Sequence, residues 1–350
     1  MNQKYPKHLL TSLVSLIMIN SLFVISPVLA NTINLPDGSR CEGQLRNGNL
    51  HGRGKCTFSN GDVYEGDFVD GQKHGQGKYT FANGDVYEGS FVDGKIEGVG
   101  KRVYAEGDSY EGDFVNGQPH GNGVYISTDG SRYEGEFVNG NPEGRGKFVY
   151  SNGDSCEGPV RNGQINGEGV CEYENGDRFQ GTLVNNQPHG EGFYTFADGG
   201  SYRGTFTEGR LTGVGERRYI AEDIYQGEIK DGIPHGQGKF TFSNGGVYEG
   251  QFVNGRQSGR GSYKFPNGNR YEGDFVDGQF QGQGRFIFAN GDVCQGEFRN
   301  NQLHGQVVCD YENGDTYQGQ FANGKKNGTG VYTFSDGTVI DGNWRDDQPL

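Results

Sequence analysis

The sequence lacks most of what an enzyme or a nucleic-acid binder uses. Its 31 lysines and arginines are outnumbered by 45 aspartates and glutamates, for a formal charge of −14. Such a surface repels nucleic acid and anionic lipid headgroups, so nucleic acid is excluded and a membrane partner is disfavoured. None of the six cysteines forms a Cys-x-x-Cys pair, which removes the usual redox motif. "GKCTF", "GKYTF" and "GKFTF" carry a Gly-Lys step but lack the Gly-x-x-x-x-Gly-Lys-Ser/Thr of a phosphate loop, and they read as strands. No segment after residue 30 reads as a helix, so helix-dipole anion sites are not expected. Hydrophobic residues are only 31% of the chain and mean hydropathy is −0.77, values common in disordered chains.

Disorder is contradicted by what is present. There are 20 tyrosines and 23 phenylalanines among 65 glycines, which points to strands joined by tight turns. The first 30 residues differ from the rest. Lys4 and Lys7 precede an apolar stretch from Leu9 to about Ile25, and Val28 and Ala30 stand at −3 and −1 of a cut before Asn31. This pattern predicts a helical signal peptide over residues 1–30, cleaved after Ala30, and a secreted or periplasmic protein. An uncleaved anchor is the alternative, but the run is short for a span of roughly 20 apolar residues. Loss of the two leader lysines takes the formal charge from −14 to −16.

The remainder is periodic. Tyr-Glu-Gly-like triplets begin at Tyr64, Tyr87, Tyr110 and Tyr133, and again from Phe179 to Tyr317, at gaps of 23 or twice that. Cys41, Cys156 and Cys294 fill the missing starts. Thirteen complete 23-residue repeats thus cover residues 41–339, with a half repeat and cap at 31–40 and a partial one at 340–350. The unit "YEGDFVDGQKHGQGKYTFANGDV" (Tyr64–Val86) alternates Tyr64, Gly66 and Phe68 on one face with Glu65, Asp67 and Val69 on the other. "DGQKH" reads as a turn, "GQGKYTF" as a second strand, and Asn-Gly as the turn onward. Folding each unit as a hairpin opposes repeat positions 1 and 16, 3 and 14, and 5 and 12: Tyr64 with Tyr79, Gly66 with Gly77, Phe68 with Gly75. Glycine then leaves room for rings to lie across the sheet. On the other face Glu65 opposes Lys78, Glu134 opposes Lys147 and Glu272 opposes Arg285.

This unit resembles the MORN repeat (membrane occupation and recognition nexus), with its Tyr/Phe-x-Gly-x-Phe opening and Gly-x-Gly strand. The resemblance covers residues 35–350. It implies an all-β, elongated, single-layer antiparallel array of hairpins, a rod on the order of 130 Å long at two strands per unit. It also implies a scaffold, a dimerising rod or a membrane-apposition module. Some relatives carry the repeat beside a kinase or methyltransferase domain, and no such domain has a counterpart here.

The cysteines occupy positions 1 and 16 of the same three repeats: Cys41 with Cys56, Cys156 with Cys171, Cys294 with Cys309. An aromatic pair is replaced by a cysteine pair each time, never singly. As cross-strand neighbours about 4.5–5.5 Å apart they suit a disulfide, and a signal peptide supplies an oxidising compartment. Free thiols and a metal site are the alternatives. A zinc site needs four ligands in one place, and His51 and His304 have Asn166 as their counterpart in the sixth repeat. The same three repeats carry Arg46, Arg161 and Arg299 at position 6, where valine is usual, for no reason visible in the sequence.

The remaining signals are weaker. Every histidine after His8 sits at position 11, before a glycine, and reads as a turn residue. "NGD" turns offer acids that recur about 10 Å apart, too far to share one calcium ion. Asn327-Gly328-Thr329 matches a glycosylation sequon. The expected function is a non-catalytic, exported scaffold that needs no cofactor or metal and binds a protein partner or itself. Its expected contact surface is the groove of Tyr64, Phe68, Tyr87, Phe91, Tyr110 and Phe114. A lipid-associated module is the first alternative. A glycan-binding rod is the second, but paired catalytic carboxylates must sit about 5–9.5 Å apart in a cleft, and here acids recur on an open face.

Overall fold

A computed structural model describes residues 31–350; the expected signal helix and the cut after Ala30 lie outside the described residues. The described chain is one open antiparallel sheet of 30 strands, in which strands pair with their neighbours in sequence. The hairpin of Val63–Val69 and Gln72–Thr80 shows the repeating plan. Asp70 and Gly71 turn the chain with φ of 49° and 86°. Two positive φ values in a row make a two-residue turn whose twist matches the strands, and Asp-Gly tolerates it. The expected five-residue turn over "DGQKH" is therefore shorter, and the histidines lie in strands.

A bulge reconciles the short turn with the expected pairing. Tyr64 opposes Tyr79 and Gly66 opposes Gly77, as the alternation predicts. Beyond Gly66 the register slips by two, so Asp67 opposes His74 and Phe68 opposes Lys73 rather than Gly75. Gly75 instead opposes Phe91 of the next repeat. Gly75 also has φ of 63°, which a side chain would strain. The outward turn spans Phe81 to Asp85, closed by Gly84 N–H donating to the Phe81 carbonyl at 2.9 Å. The hairpin turn staples repeats together, since Gly71 N–H donates to the Leu50 carbonyl at 2.8 Å.

The core of this single layer is built from rings lying on glycine. A methyl group added at Gly66 or Gly77 would collide with the Tyr64 ring. The ring thus covers both glycines, and its hydroxyl donates to the Asp67 carbonyl at the bulge, 2.8 Å away. Phe68 meets Tyr64 edge-on at 5.0 Å, and Phe91 of the next repeat meets it at 4.8 Å. Tyr87 continues the chain to Phe91 at 5.4 Å and Phe114 at 4.9 Å. Edge-to-face contacts of this kind contribute roughly 0.5–1.5 kcal/mol each beyond burial. Where successive repeats carry both rings, these contacts link one repeat to the next, as Tyr110 does to Phe137 at 4.8 Å and Tyr248 to Phe275 at 4.8 Å.

Disulfides replace this arrangement three times. Cys41–Cys56, Cys156–Cys171 and Cys294–Cys309 are bonded, with Cα atoms 4.0, 4.1 and 4.1 Å apart, slightly closer than expected. Without a tyrosine ring, the position-10 side chains Leu50 and Ile165 lie over Gly43 and Gly158, and both are buried, as is Leu303 at the same position. Around Cys294, Val307 also replaces a glycine and is buried.

Candidate functional site

The six rings expected to line a contact groove are core, not surface. Tyr64, Tyr87 and Tyr110 are 0% exposed, and Phe68, Phe91 and Phe114 are 1–3% exposed. The flat tyrosine and its two phenylalanine neighbours bury one another without a second layer. What that face offers a partner is the next row of rings, at positions 16 and 18. Phe58, Tyr79, Phe81, Tyr104, Tyr125, Tyr173 and Tyr194 are half-buried and pack on the core. They run along the rod as a ribbon: Phe58 lies 6.1 Å from Tyr79, Tyr104 6.4 Å from Tyr125, and Tyr173 5.9 Å from Tyr194. Depressions of about 430 and 290 Å3 flank its first turns, and Lys73 lines both.

A clamp holds the ribbon. Asp62 closes one repeat and accepts from the Tyr79 hydroxyl at 2.6 Å and the Ala82 amide at 2.7 Å in the next. Asn60 steadies the carboxylate at 2.8 Å. Asp177 repeats the grip on Tyr194 and Ala197, Asp315 on Tyr332 and Ser335, and Asp108 on Tyr125 and Thr128. In the repeat after Asp85, Arg102 replaces the tyrosine and its Nη2 lies 2.6 Å from the carboxylate. Burial alone would raise the Asp62 carboxyl; the bonds from Tyr79, Ala82 and Asn60 outweigh it and hold the pKa below the usual value. Burial likewise would raise the Asp85 carboxyl, and the bonds from Arg102 and Ala105 overcome it and hold the pKa below the usual value. These "NGD" acids are therefore spent on docking repeats. The signal was present in the sequence as an acid 17 residues before a tyrosine or arginine, but it crosses a repeat boundary.

Four cations of the chain itself sit on the ribbon. Lys73 Nζ lies 4.4 Å from the Tyr79 centroid, 5.5 Å from Phe58 and 5.9 Å from Phe91. Lys326 Nζ is surrounded by Tyr332 at 4.7 Å, Tyr317 at 5.0 Å, Tyr311 at 5.2 Å and Trp344 at 5.3 Å. Arg102 stacks over Phe81 and Tyr104, and Arg217 over Phe196 and Tyr219. Burial lowers both lysine pKa values, against the pull of Asp62 on Lys73 and of Asp347 and Asp315 on Lys326.

Comparison with known proteins agrees with this repeat geometry. The MORN repeat matches thirteen consecutive segments between residues 41 and 339, the first at 41–63 and the last at 317–339. The chain is a member of the MORN-repeat family. Among curated proteins, none matches its sequence. Solved structures give partial likenesses. The wild-type TCP10 domain of Danio rerio CPAP is 17% identical, with a TM-score of 0.35 over 57% of this chain and 98% of that one. The G-box domain of the microcephaly protein CPAP is 16% identical, with a TM-score of 0.26 over 64% and 99%. Superpositions this partial carry no functional argument.

The outer face of the MORN array carries the remaining candidates. Lys78 stands opposite Glu65 and Glu88, and its 2.7 Å ion pair is with Glu88 of the following repeat. Lys55 and Lys239 also close on the following repeat's acid, Glu65 and Glu249. A lysine between two acids can close on only one, and these exposed pairs add little stability. His51 Nδ1 lies 3.5 Å from Asp70, and His74 Nδ1 3.8 Å from Asp93. Arg46 reaches Asp70 at 3.1 Å, both exposed. The matching turns after Arg161 and Arg299 carry Asn185 and Asn323, and nothing in the structure explains those two arginines. Among the described residues no cluster of three or more metal-ligating side chains forms, and no helix is long and apolar enough to cross a membrane.

Proposed function

We propose that this MORN-repeat chain is an exported, non-catalytic scaffold that holds a protein partner along its aromatic ribbon. One observation carries the reading: half-buried rings recur repeat after repeat on a core whose own rings are fully buried. Rigid aromatics with one face open contribute large contact area at little entropic cost, and such residues dominate binding hot spots. The clamp aspartates fix Tyr79, Tyr125, Tyr194 and Tyr332 to the preceding repeat, so this part of the surface is formed before a partner arrives. Three disulfides fit an oxidising compartment. With the leader pattern over residues 1–30, they support cleavage after Ala30 and a secreted or periplasmic location.

Two measurements test the reading. In protein taken from native cells with free thiols blocked, peptide mapping should find the three cystine links and an N-terminus at Asn31. Six free thiols on an unprocessed chain would remove the exported role. Oxidative footprinting should then label Tyr125 and Tyr194 strongly in the purified rod and weakly in the native fraction. Equal labelling in both would remove the ribbon as a contact surface.

A further inference from the structure

The cations that the chain places on its own ribbon show what the ribbon is built to hold. Around Lys73 the cage consists of Phe58, Tyr79 and Phe91, with Tyr79 6.1 Å from Phe58 and 6.5 Å from Phe91. Around Lys326 it consists of Tyr311, Tyr332 and Trp344, with Tyr332 5.8 Å from Tyr311 and 6.1 Å from Trp344. In both, an aspartate, Asp62 or Asp315, binds the central tyrosine and supplies negative charge. Rings of this kind attract a cation through the negative charge on their faces, more strongly as water is excluded.

Among the described residues the same three-ring cage occurs once more, without its lysine. Tyr194 lies 5.9 Å from Tyr173 and 6.3 Å from Phe206, and Asp177 accepts from the Tyr194 hydroxyl at 2.7 Å. The residue at the lysine's place is Pro188, which is buried. Proline ends where a lysine side chain continues outward to its ammonium, and among the described residues no cation of the chain lies over these rings. Tyr173 and Tyr194 remain half-exposed. Ring spacing and counter-charge therefore match those of the two cages that hold a lysine. A chain of formal charge −14 draws a basic occupant toward it.

We propose that the Tyr173–Tyr194–Phe206 cage receives a lysine or arginine side chain from a basic segment of a partner protein. This rests on the scaffold reading and gives the partner its chemistry. A choline headgroup would offer a similar cation on a membrane, and the test separates the two.

The full-length oxidised protein is titrated with pentalysine and pentaarginine, and with phosphatidylcholine vesicles, by calorimetry. Pro188→Lys supplies an internal cation, as at Lys73, and leaves every ring in place; it should weaken peptide binding by about fivefold or more. Lys326→Ala does the reverse and opens a cage beside Trp344, the only tryptophan. In that variant pentalysine should change Trp344 fluorescence, and in the parent protein it should not. Circular dichroism and intact disulfides confirm that both variants fold. Unchanged peptide binding in Pro188→Lys, or a silent Trp344 in Lys326→Ala, overturns the cage. Vesicle binding that Pro188→Lys abolishes, without peptide binding, overturns the protein source. If Tyr194 is still protected in the native fraction of Pro188→Lys, the cage fails while the scaffold stands. If no protein protects it in the parent, the scaffold itself fails.

Discussion

Replacing Asp85 by alanine should destabilise the boundary between two repeats without touching either core ring. Asp85 is 5% exposed. It accepts from Arg102 at 2.6 Å and from the Ala105 amide at 2.9 Å. A hydrogen bond to a charged group contributes about 1.5–3 kcal/mol, and stranding a buried charge costs about 3–5 kcal/mol. The Arg102 side chain is 21% exposed, so water recovers part of this and the expected cost is about 3 kcal/mol. Asp85→Ala with Arg102→Phe removes both charges and leaves a phenylalanine like Phe148, at whose clamp position Ser131 stands in place of an acid. That double variant should be less destabilised than Asp85→Ala alone. Arg102→Tyr should be nearly neutral, because it rebuilds the Tyr79–Asp62 pair. Repeat arrays lose stability locally, so the assay is hydrogen exchange of peptides spanning residues 85–105 beside the overall melting curve. A cost under about 1 kcal/mol, or strictly additive effects, would refute the clamp.

Other outcomes follow from the same structure. Asp62, Asp85 and Asp177 have pKa values below the ordinary aspartate value of 3.8, so their contribution is present above that pH and lost as pH falls through the lowered values. Hydrogen exchange at repeat boundaries should accelerate in that acid range before the hairpin turns loosen; uniform acceleration would count against it. Burial pushes Tyr64 and Tyr110 up to about 12 from 10.0, with Asp67 and Asp113 adding to the rise. The unfolded chain ionises first, so stability should fall between about pH 10 and 12, and ultraviolet titration should show these tyrosines ionising late. Gly77→Ala drives a methyl group into the Tyr64 ring and should cost about 1–3 kcal/mol by overpacking, against almost nothing for Gln76→Ala; equal effects would refute the ring-on-glycine core. Reducing the Cys156–Cys171 link, which closes a separation of 15 residues, should cost about 3 kcal/mol, read as faster exchange in that hairpin alone.

Much of this architecture can be read from the sequence because each decisive element is local. Tyr64, Gly66 and Phe68 alternate, Asn-Gly and Asp-Gly mark turns, and a 23-residue period repeats the arrangement. Cys41 and Cys56 replace an aromatic pair together, which is enough to oppose them in one hairpin. Other elements depend on distance. "DGQKH" has a two-residue turn because the bulge at Gly75 and Gln76 absorbs the extra length, and composition does not distinguish that from a five-residue loop. Tyr64 and Phe68 were expected at a surface because a single layer has an open face. They are core because Phe91, from the next repeat, closes over the same ring. The Asp62–Tyr79 clamp and the lysine cages also join residues of different repeats. Strand period, turn chemistry and repeat length are properties of neighbours along the chain, and the sequence alone determined them. Which rings are buried, which carboxylates are consumed and which aromatic faces stay open depend on how one hairpin packs on the next, and only the tertiary structure decided those.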